Sequence, residues 1–309
     1  MSNTQALGLA MDGQIQKKNL MDKCKLTNNW IKEGLAELLG TFILILFGCG
    51  SLAQSILSRG VSGNLLTSSI AFPFGITIAV YATIGVSGGH LNPAISLSMC
   101  VLGRLQWLKL PIYCVAQLVG AFVGSAAVFG LYYDAFMAFD GGNLAVTGQN
   151  ATAQIFSSYP APHLSFANGF ADQIVGTAAL LLSLLAILDS KNDSVPKGLE
   201  PVVIGLIIMV IGFSMSYNCG GPINPARDLG PRLFTAVAGW GFEVFRAGNG
   251  WWWVPVIAPM IGGVLGTSIY VLIIQLHHKE SIPEQSRCIP DQQVEGKAKY
   301  EMISIQCNK

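Results

Sequence analysis

Gly88-Gly89-His90-Leu91-Asn92-Pro93-Ala94 lies within a stretch, Arg59 to Arg104, that holds no other charged side chain. Its last triplet returns as Asn224-Pro225-Ala226, in the charge-free stretch between Glu200 and Arg227. Each triplet follows a whole apolar span and a short glycine-rich stretch, and each leads into too few residues for another crossing. Pro suits the first turn of a helix, where its missing N–H is harmless, and Asn suits the N-cap. Residues 92–103 and 224–236 are therefore expected to form half-helices that enter from opposite faces and end near the midplane of a membrane. Such backbone breaks are tolerated in a bilayer only where they are buried in protein or line a wet cavity.

The rest of the chain fits that setting. Of 309 residues, 51% are hydrophobic and only 11% charged, with a mean hydropathy of +0.51 and 35 glycines. Soluble domains carry about 25% charged residues. A net charge of +1 offers no basic field for nucleic acid, which excludes that class of partner. The charge-free gaps fit helices at 31–57, 66–86, 107–133, 167–189, 199–218 and 251–276, each of about the 20 residues that a crossing needs. Lys and Arg cluster before the first span, between the second and third, between the fourth and fifth, and after the sixth. None occurs from Leu110 to Ser190. By the positive-inside rule both termini are cytoplasmic and the Asp134–Phe166 loop is extracellular, in a multi-pass protein of the cell membrane surrounded by lipid. Residues 1–29 and 280–309 read as polar cytoplasmic tails flanking a channel domain at 30–279.

That domain repeats itself. Besides the triplets, Glu37-x-x-Gly40-Thr41 returns as Gln173-x-x-Gly176-Thr177, and Ala116-x-x-x-Gly120-x-x-x-Gly124 as Ala258-x-x-x-Gly262-x-x-x-Gly266. An odd number of spans per half, about 30–133 and 167–276, sets the halves in opposite senses. The fold class is an all-α membrane protein with six transmembrane helices and two re-entrant half-helices in an inverted repeat, as in many channels and transporters. The small residues four apart are packing seams, since close backbone approach supplies the contact that lipid does not drive.

Two helix N-termini meeting at the midplane each present about half a positive charge to the lumen. A cation there meets repulsion as well as dehydration, and Asn donors fix the local hydrogen-bond direction against a proton chain. Neutral polar solutes avoid both costs. No nucleophile–base pair or metal cluster appears in the spans, so neither an enzyme nor a cofactor or metal is expected. Seven cysteines show no CxxC or CxxH spacing and are assigned no disulfide.

Two Asn-Pro-Ala boxes in inverted halves resemble the aquaporin, or major intrinsic protein, family. The extended box Asn224-Pro225-Ala226-Arg227-Asp228 is similar to its aquaglyceroporin branch, as are Gly230-Pro231-Arg232-Leu233-Phe234 and Trp251-Trp252-Trp253-Val254-Pro255. The resemblance covers about residues 30–280. It implies a right-handed bundle, a homotetramer with one pore per subunit, and passive passage of glycerol and water. Offsets from the boxes carry the family's outer filter onto Phe72, Gly212, Gly221 and Arg227. An intramembrane Arg costs at least about 2.5–3.5 kcal/mol and needs a wet or paired setting, which a filter provides. Many glycerol-selective members have an aromatic residue where Gly221 stands. Two glycine positions imply a wider opening that admits urea or larger polyols, and bulk at Gly221 is expected to narrow it.

Supporting roles fall to three residues: Asp228 as a brace of the filter loop or a helix end, His90 in a structural hydrogen bond, and Glu37 satisfying backbone groups of the broken loops. The competing classes are a secondary transporter with discontinuous helices and a strict water channel. The neutral Asn tips count against the first, and Gly212 with Asp228 against the second. Of two glycosylation sequons, Asn150-Ala151-Thr152 falls in the extracellular loop and is expected to carry glycan. Asn192-Asp193-Ser194 falls on the cytoplasmic side and is not.

Overall fold

The computed structural model describes residues 25–193 and 195–279, so most of both expected tails, with Cys24, Cys288 and Cys307, lies outside the described residues. Among the described residues ten α-helices carry the architecture: α1 Asn29–Leu57, α2 Leu65–Ser87, α3 Pro93–Val101, α4 Leu110–Leu131, α5 Tyr133–Ala138, α6 Phe166–Leu188, α7 Glu200–Met215, α8 Pro225–Ala238, α9 Glu243–Gly250 and α10 Val254–Ile273. No strand occurs among the described residues. Five helical stretches among the described residues are long and apolar enough to cross a membrane, and α7 is a shorter apolar sixth.

The early end of α7 has a visible cause. The sequence allows helix to residue 218, but beyond Met215 the Asn218 O accepts the Ala161 N–H at 2.8 Å from outside the helix. The chain turns inward there, toward the second box.

The inverted repeat is legible in the packing. α1 packs on α2 and α4 as α6 packs on α7 and α10, and each half-helix crosses to the other half, α3 against α10 and α8 against α4. The glycine seams make these contacts. A Cβ on Gly120 would collide with the backbone of Leu38, one on Gly262 with that of Ile174, and one on Gly266 with that of Ala178. Because lipid supplies no hydrophobic drive between helices, this backbone proximity is the main source of van der Waals attraction.

Candidate functional site

The half-helices meet tip to tip. Asn92 caps α3 by accepting the Ala94 N–H at 2.9 Å, and Asn224 caps α8 by accepting from Ala226 at 3.0 Å and Arg227 at 3.2 Å. Each caps with its oxygen, which leaves its amide nitrogen free to donate across the repeat. Asn92 Nδ2 donates to Ile223 O at 3.0 Å, and Asn224 Nδ2 donates to Leu91 O at 2.8 Å. One N–H of each amide is used in this way. The other is available to a cavity of 670 Å³ that both residues line.

One wall of the cavity is backbone. Gly88-Gly89-His90-Leu91 and Gly220-Gly221-Pro222-Ile223 run along it, held open by positive φ at both glycine pairs. Among the described residues, the carbonyls of Gly88, Gly89, His90, Gly220, Gly221 and Pro222 accept no hydrogen bond. Much of the remaining lining is apolar, with Ile76, Val80, Leu180, Leu184 and Ile208 among its residues. A molecule that carries both hydroxyls and carbon fits this mixed lining.

Glu37 explains how the first broken loop stays put. Fully buried, its carboxylate accepts the His90 N–H at 3.0 Å, the Leu91 N–H at 2.7 Å, the Gln117 amide at 2.7 Å and the Ser87 hydroxyl. Four donors satisfy the ion without a cation, because charge-assisted hydrogen bonds are the stronger kind. In the second half Gln173 occupies the matching place, but Pro222 replaces His90 and has no N–H to offer. The lighter demand suits a neutral amide, which donates to Cys219 Sγ at 2.9 Å. The His90 ring meets Ser96 Oγ at 3.1 Å and tilts against Tyr113.

The four positions expected to form the filter, Phe72, Gly212, Gly221 and Arg227, all line the cavity. The Arg227 guanidinium lies 5.2 Å from the centre of the Phe72 ring, and its Nη1 donates to Phe156 O at 2.6 Å. Phe72 is seated against Gly48, where any side chain would overlap the ring. A Cβ built on Gly212 meets nothing within 4 Å. Gly221 differs: its φ is +58°, and a Cβ there comes within 3.2 Å of Ser216 Oγ. Bulk is thus accommodated at Gly212 and strained at Gly221, which sequence offsets could not distinguish.

Asp228 was expected to brace the filter loop or a helix end, but its partners Arg232 and Ser158, and the contact of Arg227 with Phe156, were not foreseen. Asp228 and Arg232 are fully buried and joined through two hydrogen bonds, at 3.1 and 2.9 Å. Asp228 also accepts the Ser158 N–H at 2.7 Å and the Ser158 hydroxyl, while Arg232 donates to Ser158 O and to Val244 O. This ion pair pins the segment 156–158, whose first carbonyl orients Arg227. The available signal was a second Arg four residues after Asp228, on the same helix face, in a segment with few other charges. Nothing in the sequence marked Phe156 or Ser158.

Comparison with known proteins agrees with this geometry. Residues 24–270 match the family model described as "Major intrinsic protein". The chain is 54% identical to human Aquaporin-9 over 95% of its own length and 99% of that protein. It is likewise 54% identical to human Aquaporin-10, over 87% and 89% of the two chains. Its fold is similar to the X-ray structure of the aquaglyceroporin from Plasmodium falciparum, with a TM-score of 0.72 and 30% identity over 79% of this chain and 97% of that one. Paired Asn-Pro-Ala half-helices around one cavity, with these relatives, mark the chain as a membrane channel rather than an enzyme, and it belongs to the aquaglyceroporin branch of the major intrinsic protein family.

Proposed function

We propose that the chain passes glycerol, water and other small neutral solutes, urea among them, down their gradients while rejecting ions and protons. The observation that carries this is a cavity lined both by unpaired carbonyls and by apolar side chains. The carbonyls and the Asn92, Asn224 and Arg227 donors serve the hydroxyls of a solute, and the apolar side chains its carbon. A polyol exchanges its hydration for these groups one hydroxyl at a time, whereas a cation meets Arg227 and two positive helix ends. Phe72, Gly212, Gly221 and Arg227 are the selectivity filter in this reading. The absence of bulk at Gly212 supports a filter broad enough for urea.

The test is uptake of water, glycerol and urea by liposomes holding the purified protein, with no ion gradient present. Flux that rises linearly with solute supports the channel. Flux that saturates and requires a proton or sodium gradient overturns it in favour of a transporter.

The same reading sets the protein in the cell membrane as a homotetramer with both termini cytoplasmic. The Lys and Arg placement supports that orientation, since neither residue type occurs from Leu110 to Ser190. Expression in a eukaryotic secretory pathway should put glycan on Asn150 and none on Asn192. Mass shifts lost in Asn150→Gln support this, and a shift lost only in Asn192→Gln inverts the topology.

A further inference from the structure

Outside the transport path, α8 and α9 border a groove of 510 Å³. It is lined by Leu229, Leu233, Phe242, Phe245, Arg246 and Trp252. Leu229, Leu233 and Val237 form a stripe at four-residue spacing along α8, on the side away from buried Arg227, Asp228 and Arg232. Counted along the helix from Asn224, Leu229 lies about 7 Å and Leu233 about 13 Å out from the tips, at 1.5 Å per residue. Arg246 and Trp252 follow after α8 ends, beside the start of α10. The apolar part therefore spans the depth of one leaflet, whose hydrocarbon half is about 15 Å. The polar end sits beside Trp251-Trp252-Trp253, at the level where tryptophan favours the lipid headgroups.

Arg246 stands apart from the other arginines of that end of the molecule. Arg59 donates to Asn150 Oδ1, Arg227 to Phe156 O, and Arg232 to Asp228, Val244 and Ser158. Arg246 is exposed and has neither an ion-pair nor a hydrogen-bond partner among the described residues. A guanidinium offers a rigid fork of donors that matches the oxygens of a phosphate. An apolar groove one leaflet deep with such a fork at its headgroup end has the charge and dimensions of a phospholipid.

We propose that this groove binds one phospholipid of the leaflet nearer the 156–158 segment, with its phosphate on Arg246 and an acyl chain along Leu229 and Leu233. The bound chain would brace α8 from the side opposite the filter. A second copy of this chain would instead have to bring a carboxylate to Arg246.

Full-length protein in detergent would be incubated with 1-palmitoyl-2-oleoyl-phosphatidylglycerol or with the diacylglycerol bearing the same two chains. Bound lipid and oligomeric state would then be read by native mass spectrometry. Wild type should hold the phospholipid about tenfold better than the diacylglycerol, since a hydrogen bond to an ionised partner discriminates by that order. Arg246→Ala should lower the preference to about twofold or less, and Arg246→Lys should keep part of it. Leu233→Trp, which fills the groove and keeps the charge, should lower retention of both lipids, and glycerol uptake by all variants should match wild type. Equal phospholipid retention by wild type, Arg246→Ala and Leu233→Trp would overturn the proposal. So would dissociation by these variants of an oligomer that wild type keeps, since the groove would then be a contact between copies.

Discussion

Gly212 and Gly221 are both assigned to the filter by their offsets from Asn224, yet the backbone treats them differently. Gly212 is within α7 with open space beyond its Cβ position, so Gly212→Leu adds bulk to the cavity and removes a helix-interior glycine. Gly-to-larger changes inside helices are neutral to stabilising by about 0.5–1 kcal/mol. Thermal unfolding should be unchanged or higher, while a six-carbon polyol should lose more flux than glycerol, and glycerol more than water. Gly221→Phe should narrow the opening as well, but a left-handed backbone costs a side chain about 1–2 kcal/mol, so its melting temperature should fall. Equal loss of all three fluxes in Gly212→Leu would remove Gly212 from the filter. A second residue-scale prediction concerns Asp228. Asp228→Asn leaves the fully buried Arg232 without its counter-ion, a change worth about 3–5 kcal/mol. The double change Asp228→Leu with Arg232→Met removes both charges and should recover most of the melting temperature. It should not recover selectivity, because Ser158 loses its anchors and the Phe156 carbonyl that orients Arg227 is released. Recovery of both would show that the pair serves folding alone.

At the scale of elements, the seams of small residues make a sharp distinction within single helices. In α4, a Cβ at Gly120 meets the Leu38 backbone, whereas one at Gly130 meets nothing within 4 Å. A backbone carbonyl cannot rotate away as a side chain can, so Gly120→Val should abolish folded yield or lower the melting temperature steeply. Gly130→Val, in the same helix, should leave both close to wild type. The spans, the half-helices and the repeat were legible in the sequence because each rests on a local signal: a charge gap, an Asn-Pro cap, a glycine spacing. Glu37 could also be placed, since a lone carboxylate within a span needs donors and the broken loops have spare N–H groups. The 156–158 segment was not legible. Its position depends on Ser158 reaching Asp228 and Arg232, 70 and 74 residues away in sequence, and no local pattern encodes that distance. The end of α7 was misjudged for the same reason, because Asn218 is drawn to Ala161 by the loop's path and not by helix propensity.

For the molecule as a whole, the proposed ion rejection would be a sum of fields from separate parts of the chain. The ends of α3 and α8 each contribute about half a positive charge through capped but partly unsatisfied N–H groups. Arg227 adds a full charge at the proposed filter, beside the Phe72 ring, where the protein interior screens poorly. Arg227→Ala therefore removes the largest single contribution and leaves the Asn92 and Asn224 tips intact. It also removes the donors that replace part of a polyol's hydration at the entrance, each direct bond to a charged donor being worth about 1.5–3 kcal/mol. Two effects should follow together in liposomes normalised for protein. Discrimination between glycerol and a six-carbon polyol should weaken by about tenfold, and cation leak, protons included, should rise above the wild-type level while water passage stays within about twofold. Phe72 remains against Gly48 in this variant, so the constriction does not collapse and the loss can be assigned to charge rather than shape. Arg227→Lys separates the two contributions, because it keeps the charge but not the planar fork. It should retain cation rejection and lose solute discrimination. A leak in Arg227→Lys equal to that in Arg227→Ala, or no leak in either, would mean that the half-helix ends alone carry the barrier.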